Sequence, residues 1–331
     1  MGSRALPKKI CVIGGGRWGE NHIRTLFQMG NLAGIVEADT SRLNELLAKY
    51  PVPGFTRINA ALEPGFDGYI LATPAETHYP LGKMLLAKGL NVLIEKPLAL
   101  SSAHSGELLE IAGRTGARLM VGHLLLFHPA IRKIKEIIES GKIGRLYYLY
   151  SHRLNLGTVR TAENVFWSFA PHDISVLDYF IGQPASRIKA KGAKFLQDDI
   201  YDLTMAHFEY PGNVHAHIFV SWLHPFKEHR LVIVGSRGAL SFEDSSPGKN
   251  ILYYNKRIDW HNGKPLKIEQ PEEVIPYEEG LPLTAELEYF IENLDKEIKI
   301  SGGKTGHTVV QTLEKVQEQI VAGQSGSEAG N

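Results

Sequence analysis

Cysteine is nearly missing from this 331-residue chain: Cys11 is the only one, so no disulfide can form within it. A lone thiol fits a reducing compartment, and the stretch Met1 to Lys9 lacks the apolar core of a secretory signal, so a cytoplasmic location is expected. Long apolar runs are missing too. Runs such as Leu124 to Phe127 fall far short of the roughly 20 residues that a membrane helix needs, so no membrane partner is expected. Nor is there an excess of charge of one sign, since 36 basic residues meet 36 acidic ones. A nucleic-acid binder normally carries a basic excess or stripe, which excludes nucleic acid as the main partner. What the chain does have is 43% hydrophobic and 22% charged residues, enough for a packed core. Its length exceeds the roughly 250 to 300 residues at which single cores stop growing, and this predicts two domains.

The first third alternates short β-branched runs with amphipathic segments, the rhythm of βα units on a parallel sheet. Strands are expected at Lys9 to Ile13, Leu32 to Val36, Tyr69 to Ala72, Asn91 to Ile94 and Arg118 to Val121. Helices are expected over Trp18 to Met29, around Leu43 to Leu47, and over Leu81 to Lys88. Near residue 125 the rhythm changes. A helix bearing Ile131, Ile134, Ile137 and Ile138 ends at Gly141, and strands then follow strands. They are Arg145 to Arg153, Arg187 to Lys194, Tyr201 to Tyr210, Asn213 to Trp222, Arg230 to Gly235, Ala239 to Phe242 and Ile251 to Tyr254. Tyr210-Pro211-Gly212-Asn213 is a hairpin turn between two of them. One helix, Asp173 to Ile181, interrupts the strands, and two more follow at Thr284 to Glu297 and Thr308 to Val321. The fold class is therefore an α/β Rossmann domain over 1–125, then an α+β domain over 126–322 with a large, mostly antiparallel sheet. Met1 to Ser3 and a tail over 323–331 are expected to be poorly ordered.

Gly14-Gly15-Gly16-Arg17-Trp18-Gly19 contains G-x-G-x-x-G directly after a strand and at the opening of a helix, the context in which the pattern signals a dinucleotide. Gly14 permits the turn, Gly16 lets the backbone approach a pyrophosphate, and Gly19 allows close packing of helix on strand; Arg17 and Trp18 complete the loop. Glu37, at the end of the second strand, is placed to accept hydrogen bonds from an adenosine ribose and would repel a 2′-phosphate. It favours NAD over NADP, although Arg42 lies close enough in sequence to offer a phosphate partner. Glu95-Lys96-Pro97 follows another strand, at the end where open α/β sheets bind ligands. A partly desolvated lysine there can serve in acid/base chemistry, or the pair can be an ordinary surface ion pair; residue type and position leave both open.

With these residues on view, the chain resembles the Gfo/Idh/MocA oxidoreductases. The resemblance rests on the glycine loop, Leu71-Ala72-Thr73-Pro74 with His78, and Glu95-Lys96-Pro97. It continues through Val121-Gly122-His123, His128-Pro129-Ala130, Ser140-Gly141-Lys142-Ile143-Gly144 and Pro171-His172-Asp173. It implies an open-faced sheet in the second domain, NAD as cofactor, and Lys96 and His172 as the acid/base pair at a reacting carbinol. Thr73, Pro74, His78, Glu95 and Lys96 match positions that line the cofactor. The family often carries Asp or Asn four residues before the histidine, whereas this chain has Ser168, which weakens an inositol reading. Asn155 to Arg160 and Glu163 to Asp173 look closest to the branch acting on UDP-N-acetylglucosamine and its uronate. Arg153, Asn155, Arg160, Asn164, Trp167, Ser168 and His172, with Lys96, are then the substrate-binding candidates. The resemblance also implies a homodimer or homotetramer that buries the open sheet face.

The bland readings cover the rest. His215 and His217 share the polar face of one strand, so no metal site is expected there. Gly303-Lys304-Thr305 lacks the earlier glycine of a phosphate loop. Two alternatives to the nucleotide-sugar reading stand: an inositol or free-sugar enzyme of the same family, and a catalytically silent NAD-binding sensor or scaffold.

Overall fold

The computed structural model describes residues 7–325; Met1 to Ser3 and the tail beyond residue 325 lie outside the described residues. The chain divides into two compact units. One holds the chain up to Phe127 together with Gly280–Gln311, and the other holds His128–Glu279 and the chain from Thr312 onward.

The first unit runs β1 (Ile10–Ile13), α1 (Arg17–Met29), β2 (Leu32–Val36), α2 (Thr40–Lys49), β3 (Gly54–Phe55), β4 (Gly68–Leu71), α3 (Ala75–Ala87), β5 (Val92–Glu95), α4 (Ser102–Thr115) and β6 (Leu119–Gly122). Its six strands form one sheet in the order β3-β2-β1-β4-β5-β6, with every pairing parallel. Ile10, Cys11 and Val12 in β1 and Ile70 and Leu71 in β4 are fully buried, which is why these strands read as unbroken apolar runs. The strand order reverses between β1 and β4, so the loops leaving them part and open a crevice at the carboxyl ends.

Two features escaped the periodicity. α3 starts at Ala75 rather than Leu81, because Pro80 sits inside it and removes only one helical hydrogen bond. α4 was not foreseen, although Ser101 caps it by accepting a hydrogen bond from the His104 amide at 3.2 Å.

The second unit contains α5 (Pro129–Glu139), β7 (Leu146–Leu156), α6 (Val165–Ile181), β8 (Arg187–Ala193), β9 (Leu203–Tyr210), β10 (Val214–Ser221), β11 (Leu223–Gly235), β12 (Ala239–Glu243), β13 (Ile251–Tyr254), β14 (Lys256–His261), β15 (Lys264–Glu269) and β16 (Glu273–Ile275). Eight strands pair in the order β16-β13-β12-β11-β7-β10-β9-β8, and within that sheet only β7 and β10 run parallel. The expected hairpin joins β9 to β10, with Gly212 at φ 77° and Asn213 at φ 58° turning the chain. A second hairpin, β14 to β15, turns at Asn262 and Gly263, an Asn-Gly signal that the alternation alone did not reveal.

α6 covers one face of this sheet, packing on β7, β9 and β10 over Ala216, Ile218 and Val220. The opposite face carries half-buried Tyr150, His152, His207 and Phe219 and exposed His217 on adjacent strands.

The returning segment corrects the expected domain boundary. α7 (Pro282–Glu292), assigned by the sequence to the second domain, packs instead on α1 and on the short turn Leu124–Phe127 of the first unit. Beyond it, the Val121 amide donates to Ser301 O at 2.8 Å and Ser301 Oγ donates to Val121 O at 2.6 Å, so the chain lies along edge strand β6. α8 (Gly303–Ser325) follows. Among the described residues no helix is long and apolar enough to cross a membrane.

Candidate active site

The crevice of the first unit is built from three loops at strand ends. After β1, Gly14 adopts φ 100°, and a Cβ on it would stand 2.6 Å from the carbonyl oxygen of Ala72. Gly19 is held so close that its Cβ would meet Gly14 O at 1.9 Å, so only glycine lets α1 start this near the strand. In front of Gly16 the space is open, and Gly16 caps α1 without a side-chain partner for the first amides. Uncapped amides at the positive end of a helix suit a pyrophosphate.

Glu37 closes β2, where its Oε2 accepts from the Gly15 amide at 2.6 Å and its Oε1 from the Asp39 amide at 3.0 Å. Its carboxylate thus stands beside the glycine loop, as a ribose partner must. Arg42 is not free to favour a 2′-phosphate. Its Nη2 donates to Glu20 at 2.6 Å, its Nη1 to Glu45 at 3.0 Å and its Nε to Gly15 O at 2.9 Å. The residues present therefore fit NAD.

After β4, Thr73 lies half-buried with its Oγ 2.6 Å from Thr77 Oγ, and Pro74 is exposed at the start of α3. His78 is a correction. Expected at the cofactor surface, it is 1% exposed, with Nδ1 2.7 Å from Pro97 O and Nε2 2.9 Å from Thr73 O. It braces the Thr73 loop against the Glu95-Lys96-Pro97 loop from inside.

After β5, Glu95 turns inward and Lys96 is half-buried at the crevice. Glu95 Oε1 lies 2.7 Å from His22 Nε2, and Glu95 Oε2 accepts from the Lys96 amide at 3.2 Å. Burial alone would raise the Glu95 carboxyl, but the hydrogen bond from His22 and the charges of His22 and Lys96 outweigh it and hold it below the ordinary range. The motif is thus an inward-turned Glu95 followed by a half-buried Lys96 at the carboxyl end of β5.

In the second unit, His172 lies half-buried on α6, directly before Asp173. Asp173 is 3% exposed; it accepts from Arg153 Nε at 2.8 Å, Arg153 Nη2 at 2.9 Å and Ser151 Oγ at 2.7 Å. Arg153, expected to meet a substrate anion, therefore serves Asp173 first, and its Nη1 lies 3.4 Å from His229 Nδ1. Burial opposes its charge, but Asp173 outweighs that and keeps the guanidinium charged.

Asn164 is a second correction. It caps α6, its Oδ1 accepting from the Phe166 and Trp167 amides at 3.0 and 3.1 Å while its Nδ2 donates to Gln317. This cap also shows why α6 begins eight residues earlier than the expected Asp173: the helix runs on from Val165 with Pro171 inside it. Trp167 and Ser168 therefore lie on α6 itself, Trp167 half-buried and Ser168 buried, and Asn155 is half-buried near the end of β7. Arg160 is exposed and only loosely paired with Glu163 at 3.9 Å.

Three buried polar residues of the first unit were given no role by the sequence, although His123 belongs to one of the motifs that carry the resemblance. His22, His123 and Glu286 are each at most 1% exposed, and all lie near Glu95 or its charge. The signal was available for two of them. His22 and Glu286 occupy the buried faces of amphipathic helices, beside Ile23 and Leu26 in α1 and Leu287 and Phe290 in α7, where a charged residue is costly. Among the described residues no group of three or more His, Cys, Asp or Glu is arranged to hold a metal ion.

A parallel sheet with a glycine-rich cradle at its switch point, followed by a large open-faced sheet, defines a Rossmann-type dinucleotide-binding protein. The chain belongs to the Gfo/Idh/MocA family: residues 8–123 match the model for an oxidoreductase family with an NAD-binding Rossmann fold, and residues 131–241 match the GFO/IDH/MocA C-terminal domain. Its cofactor is NAD. The chain is 26% identical over 188 residues to UDP-N-acetylglucosamine 3-dehydrogenase of Acidithiobacillus ferrooxidans, covering 56% of this chain and 58% of that protein. It is 28% identical over 187 residues to inositol 2-dehydrogenase of Streptomyces avermitilis, covering 54% of each. It spans a little over half the length of these curated relatives. The solved structure of the Acidithiobacillus ferrooxidans enzyme GnnA superposes with a TM-score of 0.84 at 22% identity, over 96% of this chain and 98% of that one, a likeness of fold.

Proposed function

We propose that this protein is an NAD-dependent dehydrogenase that oxidises a secondary hydroxyl of a sugar, C3 of a UDP-N-acetylhexosamine or its uronate, with Lys96 and His172 as the acid/base pair. The observation that carries the reading is Lys96 itself. It stands at the carboxyl end of β5 beside the NAD cradle, with its backbone held by the inward-turned Glu95. When bound, NAD supplies the hydride acceptor. Lys96 orients the hydroxyl and stabilises negative charge as its proton leaves, and His172 accepts that proton. Because Arg153 serves Asp173, the exposed Arg160 is the cation offered to a phosphate or carboxylate, and half-buried Trp167 offers a ring face to the sugar.

The relative acting on UDP-N-acetylglucosamine supports this substrate class, as does Ser168, which cannot supply a carboxylate's charge four residues before His172. The inositol dehydrogenase relative supports the second reading, a free polyol or sugar. Cofactor reduction with UDP-N-acetylglucosamine, its uronate, inositols and free aldoses separates the two. Turnover confined to the nucleotide sugars is the expected result; turnover of inositols alone selects the second reading. Tight NAD binding with no turnover on any of them would mark a silent sensor.

The protein is also proposed to form a homodimer or homotetramer through the open sheet face. That face holds a cavity of about 800 Å³ lined by His152, Met205, His207, His217 and Phe219. Sedimentation at micromolar concentration is expected to give a mass at least twice that of the chain, and a monomer would contradict the proposal.

A further inference from the structure

Behind Lys96 the first unit buries more ionisable groups than its proposed chemistry uses. Glu95, at the end of β5, faces His22 from α1 at 2.7 Å. Gly122, opposite it on β6, has no Cβ where one would crowd the carboxylate at 3.0 to 3.2 Å, so room is kept for this group. His123 follows Gly122 directly, is 1% exposed, and has no protein partner for either ring nitrogen. Glu286, on α7, is 1% exposed with its Oε1 likewise unpartnered, and Glu95 is the charge that acts on it. α7 packs on the two elements that flank the others: α1, which carries His22, and the turn Leu124–Phe127 just after His123. Four elements thus converge on one largely buried polar pocket whose outer neighbour is Lys96.

Two carboxyls in one such pocket cannot both ionise cheaply. Glu95 has the stronger claim to the charge, because His22 and the Lys96 amide already serve it. We propose that Glu286 is a positioning residue for Lys96: sharing a pocket with Glu95, His22 and His123, it lets that pocket hold a single negative charge on Glu95, which in turn holds Lys96. Burial and the neighbouring Glu95 charge push the Glu286 carboxyl well above its ordinary range, in keeping with a protonated acid. Burial likewise pushes His123 down to about 4, against the pull of Glu95, so at neutral pH it adds no positive charge that could pair with a second carboxylate.

The inference rests on the dehydrogenase reading for its consequence, but its test does not need turnover. The Lys96 amine is titrated by nuclear magnetic resonance of labelled lysine in the cofactor-free protein, assigned with Lys96→Met. Glu286→Gln, which stays neutral and keeps a donor and an acceptor, is expected to leave the titration in place and retain the pH profile of kcat within about twofold. Glu286→Leu makes the pocket apolar and is expected to lower the Lys96 midpoint by roughly half a pH unit or more. It is also expected to reduce kcat about tenfold or more at neutral pH without changing the KM for NAD. Difference infrared spectroscopy of wild type against Glu286→Gln is expected to show the loss of a protonated carboxylic acid at neutral pH. A Glu286→Gln variant that lowers the Lys96 midpoint as Leu does, or a band of an ionised carboxylate, overturns the inference. So does a Glu286→Leu variant with an unchanged Lys96 titration. If the titrations behave as expected while no sugar is oxidised, the positioning role stands and the dehydrogenase reading falls.

Discussion

The two proposed acid/base residues are anchored by the same device in opposite order. Glu95 precedes Lys96 and turns into the first unit; Asp173 follows His172 and turns into the second. In each case the carboxylate next to the working residue fixes the backbone from inside. The anchors differ in what holds them. Asp173 receives two hydrogen bonds from a guanidinium and one from Ser151, a permanent cation in planar geometry. Glu95 receives its side-chain hydrogen bond from a histidine and shares its pocket with a second carboxyl. One anchor is held by a permanent cation, and the other sits beside a second buried carboxyl, so that the charge of each bears on the other. The Lys96 anchor is thereby the one that neighbouring protonation can adjust, while the Asp173 anchor fixes the helix that carries His172, the proposed proton acceptor.

The largest expected effect breaks the anchor held by the permanent cation. Arg153→Ala leaves Asp173 buried and uncompensated, which is expected to cost about 3 to 5 kcal/mol of stability and to lower the melting temperature sharply. Thermal unfolding checks this, and Arg153→Lys is expected to recover only part of the loss because it cannot bond two oxygens at once.

A smaller effect sharpens the contrast between the anchors through pH. His123 titrates near 4 when folded against 6.5 for an unperturbed histidine, so between those values the unfolded chain binds a proton that the folded chain does not. Its contribution is therefore unchanged above about pH 6.5 and costs stability progressively as pH falls toward 4, by up to about 3 kcal/mol. Denaturant unfolding of wild type and His123→Phe at pH 7.5 and about pH 4.5 is expected to show a shallower loss for the variant.

How much of this was legible beforehand differs between the same two regions. The glycine loop and the strand-end positions of Glu37 and Lys96 were readable because the signals are local: a turn, a strand end and a helix start lie within a few residues of one another. His78 was located but misassigned, since sequence does not say whether a histidine beside a loop faces out or braces it from within. The start of α6 lies eight residues before the expected one, because Asn164, the residue that caps the helix, was read as a sugar ligand rather than as a cap. The pocket behind Lys96 was out of reach for another reason. Glu286 lies 191 positions beyond Glu95 in the chain, and an amphipathic helix shows that it has a buried face without showing which unit buries it.

The smallest expected effect follows from that misreading. Asn164→Ala removes a helix cap and is expected to cost about 1 kcal/mol, measured by denaturant unfolding, while leaving the KM for the sugar within about twofold. A large rise in that KM would return Asn164 to the substrate.

The most direct measurement of the central claim is the rate of NAD reduction by the Lys96→Ala variant with the best nucleotide-sugar substrate, in protein shown by circular dichroism to be folded and by titration to bind NAD. A fall in kcat of roughly 100-fold or more, with NAD affinity unchanged, is the predicted result. Turnover near the wild-type rate would contradict the assignment of Lys96 and, with it, the mechanism.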